Sequence, residues 1–173
     1  MRLKFTKMQG AGNDFVMIDG VSQHIMPTPE LIRYLADRHY GIGADQVLLV
    51  ERTVLPGVDF RYRIFNSDGH EVEQCGNGAR CFAQFVFNLG LTTKKRIRVE
   101  TKKNIIEPEI LDNGQVRVMM GCPSTQAEDL PFIPTSLHPT YQHPLSLWQY
   151  EGVTFAPISM GNPSAVVFVD DVD

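Results

Sequence analysis

Apolar and polar positions along the first two thirds of the chain change period several times, and each change marks an element. Residues 3–8, 14–19, 46–51 and 59–66 are rich in β-formers, and in Phe60-Arg61-Tyr62-Arg63-Ile64 apolar and basic residues alternate with period two. Between the second and third of these strands the pattern becomes helical. Thr28 is placed to cap, Pro29 to occupy the first helical position, and Leu31, Ile32, Leu35 and Ala36 to form one stripe, which predicts a surface helix. A second helix is predicted after Cys75-Gly76-Asn77-Gly78, where Ala79, Cys81, Phe82, Ala83, Phe85, Val86, Phe87 and Leu89 read as apolar on every side, interrupted by Arg80, Gln84 and Asn88. A helix of this kind, about 12 residues long, suits a buried core position. Residues 105–111 and 115–120 flank Asp112-Asn113-Gly114, a hairpin signal. The predicted fold class is α+β, a curved sheet wrapped about one central buried helix.

Charge and proline divide this pattern near residue 120. All 16 Lys and Arg lie in residues 1–120 against 14 acids, a balance of +2, whereas residues 121–173 hold six acids and no Lys or Arg. Eight of the 11 prolines fall at or after Pro108, and Pro123, Pro131, Pro134, Pro139 and Pro144 preclude a long helix there. The expected organisation is a first domain over 1–120 and, over 121–173, a crossover and the start of a second domain. No apolar run reaches the ~18 residues of a membrane span, and Lys4, Lys7, Asn13 and Asp14 interrupt the first 20 residues, so a cytoplasmic protein is expected. Cys75, Cys81 and Cys122 are too few for a disulfide framework. In the basic stretch 94–103, Ile97, Val99 and Thr101 alternate with Arg96, Arg98 and Glu100, which favours a strand with one solvated face over a nucleic-acid surface. Gly41-Ile42-Gly43 lacks the third glycine and the following helix of a dinucleotide site. The five His are scattered and carry no assigned role.

Candidate chemistry begins where the second helix starts. A sulfur at Cys75 would lie beside unpaired backbone N–H groups at the positive end of the helix dipole, which favours thiolate and also makes an anion site suited to a carboxylate. The glycines Gly76 and Gly78 allow close approach of a ligand to the backbone. On position alone, a buried structural thiol is as good a reading. Three Asn stand in turn-like contexts at strand ends, Asn13, Asn66 and Asn162. Singly each suits a turn; together they suit a polar amino-acid ligand, since an amide donates to a carboxylate and accepts from an ammonium group.

The segments Lys7-Met8-Gln9-Gly10-Ala11-Gly12-Asn13-Asp14-Phe15, Gly41-Ile42-Gly43-Ala44-Asp45-Gln46, Asn66-Ser67-Asp68-Gly69, Glu73-Gln74-Cys75-Gly76-Asn77-Gly78-Ala79-Arg80-Cys81 and Ser159-Met160-Gly161-Asn162-Pro163 resemble the motifs of the diaminopimelate epimerases. The resemblance implies a pair of similar domains, each a β-roll around a central helix. It also implies a cofactor-independent isomerase that converts LL- to meso-diaminopimelate for lysine and peptidoglycan synthesis, with two cysteines acting on opposite faces of the α-carbon. Carried over by position, it makes Cys75 one catalytic cysteine and Asn13, Gln46, Asn66, Gly76, Asn77 and Asn162 the substrate-binding residues. It implies no metal or cofactor, a small amino-acid substrate as partner rather than nucleic acid or membrane, and a homodimer as one assembly.

Two positions depart from the family pattern. Ser164 stands where the family has His after Asn-Pro, and no second catalytic cysteine has a counterpart. Gly12-Asn13 with its following strand resembles Gly161-Asn162 with the strand through Asp170, so the chain is expected to stop early in a second repeat, to pair an exposed edge or be poorly ordered there, and to be inactive alone. A proline-type racemase is disfavoured by Asn77, where that group has His, and a phenazine-biosynthesis-like isomerase by Cys75. A non-catalytic binding or redox fragment is the reading from another class.

Overall fold

The computed structural model of the chain describes residues 2–73, 75–132, 138–142, 145–160 and 163–171. The chain divides into two compact units, Met1–Met119 and Met120–Asp173.

In the first unit the elements run β1 (Thr6–Gly10), β2 (Asn13–Asp19), α1 (Pro29–Ala36), β3 (Gln46–Glu51), β4 (Phe60–Asn66), β5 (Glu71–Val72), α2 (Gly76–Asn88), β6 (Val99–Glu100), β7 (Ile105–Ile106), β8 (Glu109–Ile110) and β9 (Val116–Arg117). Among the described residues β1 to β7 make one mixed sheet in the order β1-β2-β3-β4-β6-β7, with β5 also on β4; β2 and β3, and β4 and β6, run parallel. The strands β2 and β3 are continuous apolar runs because both faces of the sheet are covered. Successive side chains point to opposite faces. Phe15, Met17, Leu48, Val50, Phe60, Tyr62 and Ile64 pack with α2, whereas Val16, Ile18, Val47, Leu49 and Phe65 pack with Ile32, Leu35 and Ala36 of α1. The β8–β9 hairpin also contributes Ile110 to the α2 side, so the helix is enclosed between the sheet and this hairpin. This is the α+β wrap that the pattern predicts.

α1 begins as its sequence dictates: Pro29 lies in its first turn and Thr28 Oγ1 accepts from Leu31 N at 3.3 Å. α2 differs from the reading of its composition. Arg80, Gln84 and Asn88 repeat every four residues, so they share one face, and Gln84 donates to Asn88 Oδ1 at 3.1 Å. Phe87 is 36% exposed beside that face. The helix is therefore buried on most of its circumference, with one polar stripe.

The Asn-Gly hairpin also differs in extent. Leu111 O accepts from Gly114 N at 2.9 Å, Gly114 is left-handed (φ 80°), and β8 pairs with β9 as expected for a three-residue turn. Ile105 and Ile106, read as part of the same hairpin, instead pair with β6. Pro108 lies between β7 and β8, and its carbonyl accepts from Ile97 N at 3.0 Å. In the basic stretch Ile97, Val99 and Thr101 are buried, and Arg96 and Arg98 are exposed and paired with Glu107 at 3.6 and 3.7 Å.

The second unit contains a short 3-10 turn (Ala127–Asp129) and an antiparallel sheet β10 (Thr140–Gln142), β11 (Leu145–Tyr150), β12 (Val153–Ser159) and β13 (Pro163–Val166), in that order. Ser124 and Ser159 exchange backbone hydrogen bonds of 2.9 and 2.8 Å. Phe132 stands edge-on to Trp148 and Phe155, with centroids 5.0 and 5.6 Å away, forming a small core. The predicted strand through Asp170 is shorter in the structure, where β13 ends at Val166.

Among the hairpins unread in the sequence, two have tight left-handed turns. Ala11-Gly12 joins β1 to β2 and Glu151-Gly152 joins β11 to β12, with positive φ at both residues of each pair (54° and 85°; 47° and 83°). Such turns prefer Asn or Asp followed by Gly. Ala11→Asn should accordingly raise the unfolding free energy by about 0.5 kcal/mol, because Asn tolerates the left-handed region better than Ala; urea denaturation measures it.

Candidate active site

The start of α2 is built around Cys75, whose extended backbone (φ −144°, ψ 119°) makes it the N-cap. Its carbonyl accepts from Ala79 N at 2.8 Å and its Sγ accepts from Gly78 N at 3.4 Å, so the thiol sits at the positive end of the helix. From β4, the Tyr62 hydroxyl accepts from Cys75 N and donates to Cys75 O, both at 3.3 Å. Tyr62 is 1% exposed, and burial, then the nearby Cys75, push its phenol well above the usual tyrosine range, so it remains a donor. The helix start reaches the sheet because Gly78 has no side chain: a Cβ there would lie 3.0 Å from Ile64 Cδ1 and 3.1 Å from the Tyr62 oxygen.

Strand periodicity explains which polar groups share the α2 side of the sheet with the sulfur. Asn13 shares a face with Phe15 and Met17, Gln46 with Leu48 and Val50, and Asn66 with Tyr62 and Ile64, so all three lie on the α2 side. Register places them at one end of the sheet, with Phe15 opposite Gln46 and Gln46 opposite Asn66. Gln46 Nε2 donates to Asn66 Oδ1 at 2.8 Å, and its buried Oε1 has no partner among the described residues. Cys75 Sγ donates to Asn13 Oδ1 at 3.5 Å. Gly76 and Asn77 form the first turn of α2 above this face, and the Asn77 carboxamide is bonded to Arg80. Asn66 is also a turn residue, with its carbonyl accepting from Gly69 N at 2.9 Å. The sixth proposed substrate-binding position, Asn162, lies outside the described residues.

Beside Asn13 stands a charge network that the sequence reading did not single out. Arg38 forks onto Asp14, Nη1 to Oδ2 at 3.0 Å and Nη2 to Oδ1 at 2.8 Å, and reaches Asp45 Oδ1 at 2.8 Å; Lys7 pairs with Asp14 at 2.8 Å and also bonds the Gly43 carbonyl. Asp14 and Asp45 exchange bonds with one another's backbone N–H, and Asp45 Oδ2 accepts from Asn13 Nδ2 at 2.9 Å. Their adjacency to Asn13 and Gln46 in the sequence was the available signal. Gly43, at φ 79°, and Gly41, where a Cβ would meet Tyr34 O at 1.8 Å, serve the tight return of the chain from α1 rather than a phosphate.

The Arg38 guanidinium, followed by Lys7, holds the Asp14 carboxyl below the usual carboxylate range, and Asp45 is lowered first by its bond from Asn13. A carboxyl whose folded value is depressed contributes stability that is complete above its unfolded value of ~4 and is lost as pH falls through the folded value. Unfolding free energy should therefore fall on acidification below ~pH 4, and less steeply in Arg38→Gln. Urea titrations at several pH values check this; the loss is tempered by solvent, since the Arg38 side chain is 55% exposed.

Among the described residues no three His, Cys, Asp or Glu converge as a metal site, and no helix is long and apolar enough to cross a membrane. The arrangement offers one sulfur, helix-start N–H donors and a set of side-chain amides, a combination able to move a proton beside a bound carboxylate.

Comparison with known proteins bears on this chemistry. A diaminopimelate epimerase from Aromatoleum aromaticum is 56% identical over 173 residues, covering all of this chain and 61% of that protein. One from Laribacter hongkongensis is 57% identical over 174 residues, again covering the whole chain and 61% of the relative. A hydroxyproline epimerase from Agrobacterium vitis, solved with trans-4-OH-L-proline, shares the fold at a TM-score of 0.64 and 14% identity, covering 95% of this chain and 51% of that one. The chain thus spans about three fifths of the length of the two diaminopimelate epimerases. The diaminopimelate epimerase family model matches residues 5–126, a span that holds the Cys75 helix start and the three sheet-end amides, and the chain belongs to that family.

Proposed function

We propose that residues 1–173 supply one proton-transfer face of an isomerase that converts LL- to meso-diaminopimelate, in lysine and peptidoglycan precursor biosynthesis. The observation that carries this reading is Cys75 Sγ at the N-terminus of α2, bonded to Gly78 N and to Asn13, at the sheet end that also holds the Gln46–Asn66 pair. The relatives' name supplies the substrate. Inversion at an α-carbon without an electron sink needs a base on one face and an acid on the other. Cys75 takes or returns the proton on its face, the amides of Gly76 and Asn77 stabilise the carboxylate side of the carbanion, and Asn13, Gln46, Asn66 and Asn162 bind the substrate. Residues 1–120 act as the first domain, with 121–173 as the crossover and the start of a second that carries the opposing cysteine. The same reading places the protein in the cytoplasm with a small amino acid as its ligand. It also includes a homodimer as its assembly.

The test is α-proton exchange from LL-diaminopimelate in deuterated water. A polypeptide of the relatives' full length, with this sequence as its first part, should incorporate deuterium and form the meso isomer, whereas the 173-residue chain alone should do neither. Absence of exchange in the full-length protein overturns the reading. Turnover by the 173-residue chain alone would show that a second copy provides the acid.

A further inference from the structure

We propose that Asp45 is a positioning residue that locks the Asn13 carboxamide with its oxygen facing the Cys75 sulfur. An Asn side chain has two chemically opposite ends, and at a strand terminus either could face the thiol. Here the choice is made by Asp45, whose carboxylate only accepts. The end of Asn13 that lies 2.9 Å from Asp45 Oδ2 must be the amino group, which leaves Oδ1 at 3.5 Å from Sγ as the acceptor for the thiol proton. Asp45 is itself held on both sides, by Arg38 at 2.8 Å and by Asp14 N at 3.0 Å, so it cannot swing away when Asn13 turns. Cys75 thus sits between two partners of opposite character. Gly78 N–H, at 3.4 Å, suits the sulfur without its proton, and Asn13 Oδ1 suits the sulfur with it. A group that must alternately take and return a proton is served by having both.

The other groups around the sulfur do not set this choice. Tyr62 bonds the Cys75 backbone, and Cys81 is a buried thiol whose titration burial pushes upward, with the charge of Cys75 adding to it. The Asp14 carboxylate is bonded to Arg38 and to Asp45 N, and the Asn13 amino group bonds Asp45.

The inference rests on Cys75 as the proton-transfer group, and the experiment reads the sulfur directly, so failure of epimerase activity and failure of the positioning role are separable. The rate of iodoacetamide alkylation at Cys75 is followed by peptide mass in the 173-residue chain across the neutral to alkaline range. Asp45→Asn, which lets the Asn13 amide turn its amino group towards sulfur, should raise the rate at neutral pH about fivefold and displace the profile to lower pH. Asp14→Asn removes the same charge from the same network but leaves the Asp45–Asn13 bond, and should leave the profile in place. Asn13→Ala, which spares the Arg38 network if Asp45→Asn fails to fold, should reproduce the displacement, and Asp45→Asn should add nothing in that background. An unchanged profile in Asn13→Ala, or an equal effect of Asp45→Asn with and without Asn13, overturns the proposal.

Discussion

Replacing Cys75 by Ala in the full-length protein is expected to lower kcat/KM for diaminopimelate by about 10³-fold or more, the upper part of the range for a positioned acid or base. No neighbour can substitute. Tyr62 is occupied by the backbone of Cys75, and Cys81, one and a half turns further along α2, is buried. The fold should survive: the first-turn bond from Ala79 N to the residue 75 carbonyl does not need the sulfur, and only the weak cap on Gly78 N and the long bond to Asn13 are lost. KM should change little, since the Asn13, Gln46 and Asn66 amides remain. Cys75→Ser keeps a cap but offers a far poorer base, so it should be as inactive as Cys75→Ala while matching the wild type in thermal unfolding. Activity of either variant within tenfold of wild type would remove Cys75 from the proton path.

Phe82→Ala should cost about 3–5 kcal/mol of stability, enough to unfold much of a marginally stable domain. Phe82 is 0% exposed and stands at the centre of the enclosed helix face, edge-on to Phe60 at 6.1 Å and Tyr62 at 5.7 Å between centroids. Removing its ring leaves a cavity that the surrounding core cannot fully collapse into, and it frees Tyr62, the residue that clamps the start of α2. Phe87→Ala, on the half-open side of the same helix, should cost less than about 1 kcal/mol. Comparable urea midpoints for the two variants would refute the assignment of this face as the core.

How far the sequence reaches depends on the range of the contacts involved. α1 was legible because Thr28, Pro29 and the stripe of Ile32, Leu35 and Ala36 act on residues within one turn of themselves. The start of α2 at Cys75 was legible for the same reason. The polar stripe of α2 was present in the spacing of Arg80, Gln84 and Asn88 but was outweighed by the many apolar residues between them. Ile105 and Ile106 were assigned to the nearest turn signal, when their partner in β6 came from the preceding segment and Pro108 separated them from β8.

The candidate site divides in the same way. A cysteine with flanking glycines, Asn and Gln at strand ends, and the family motifs are properties of the sequence itself, and they led to the chemistry. That Asn13 meets Cys75 across 62 positions, that Gln46 meets Asn66 across 20, and that Asp45 rather than any other carboxylate holds the Asn13 amide was decided only in the tertiary structure. The parallel register of β2 on β3 and the antiparallel register of β3 on β4 bring those residues to one sheet end, and a slip of one residue would turn each to the α1 face. Caps and periodicity are local energies that a short segment satisfies alone. Register is set by burying two apolar faces at once, a condition that exists only when the whole sheet and both helices are assembled.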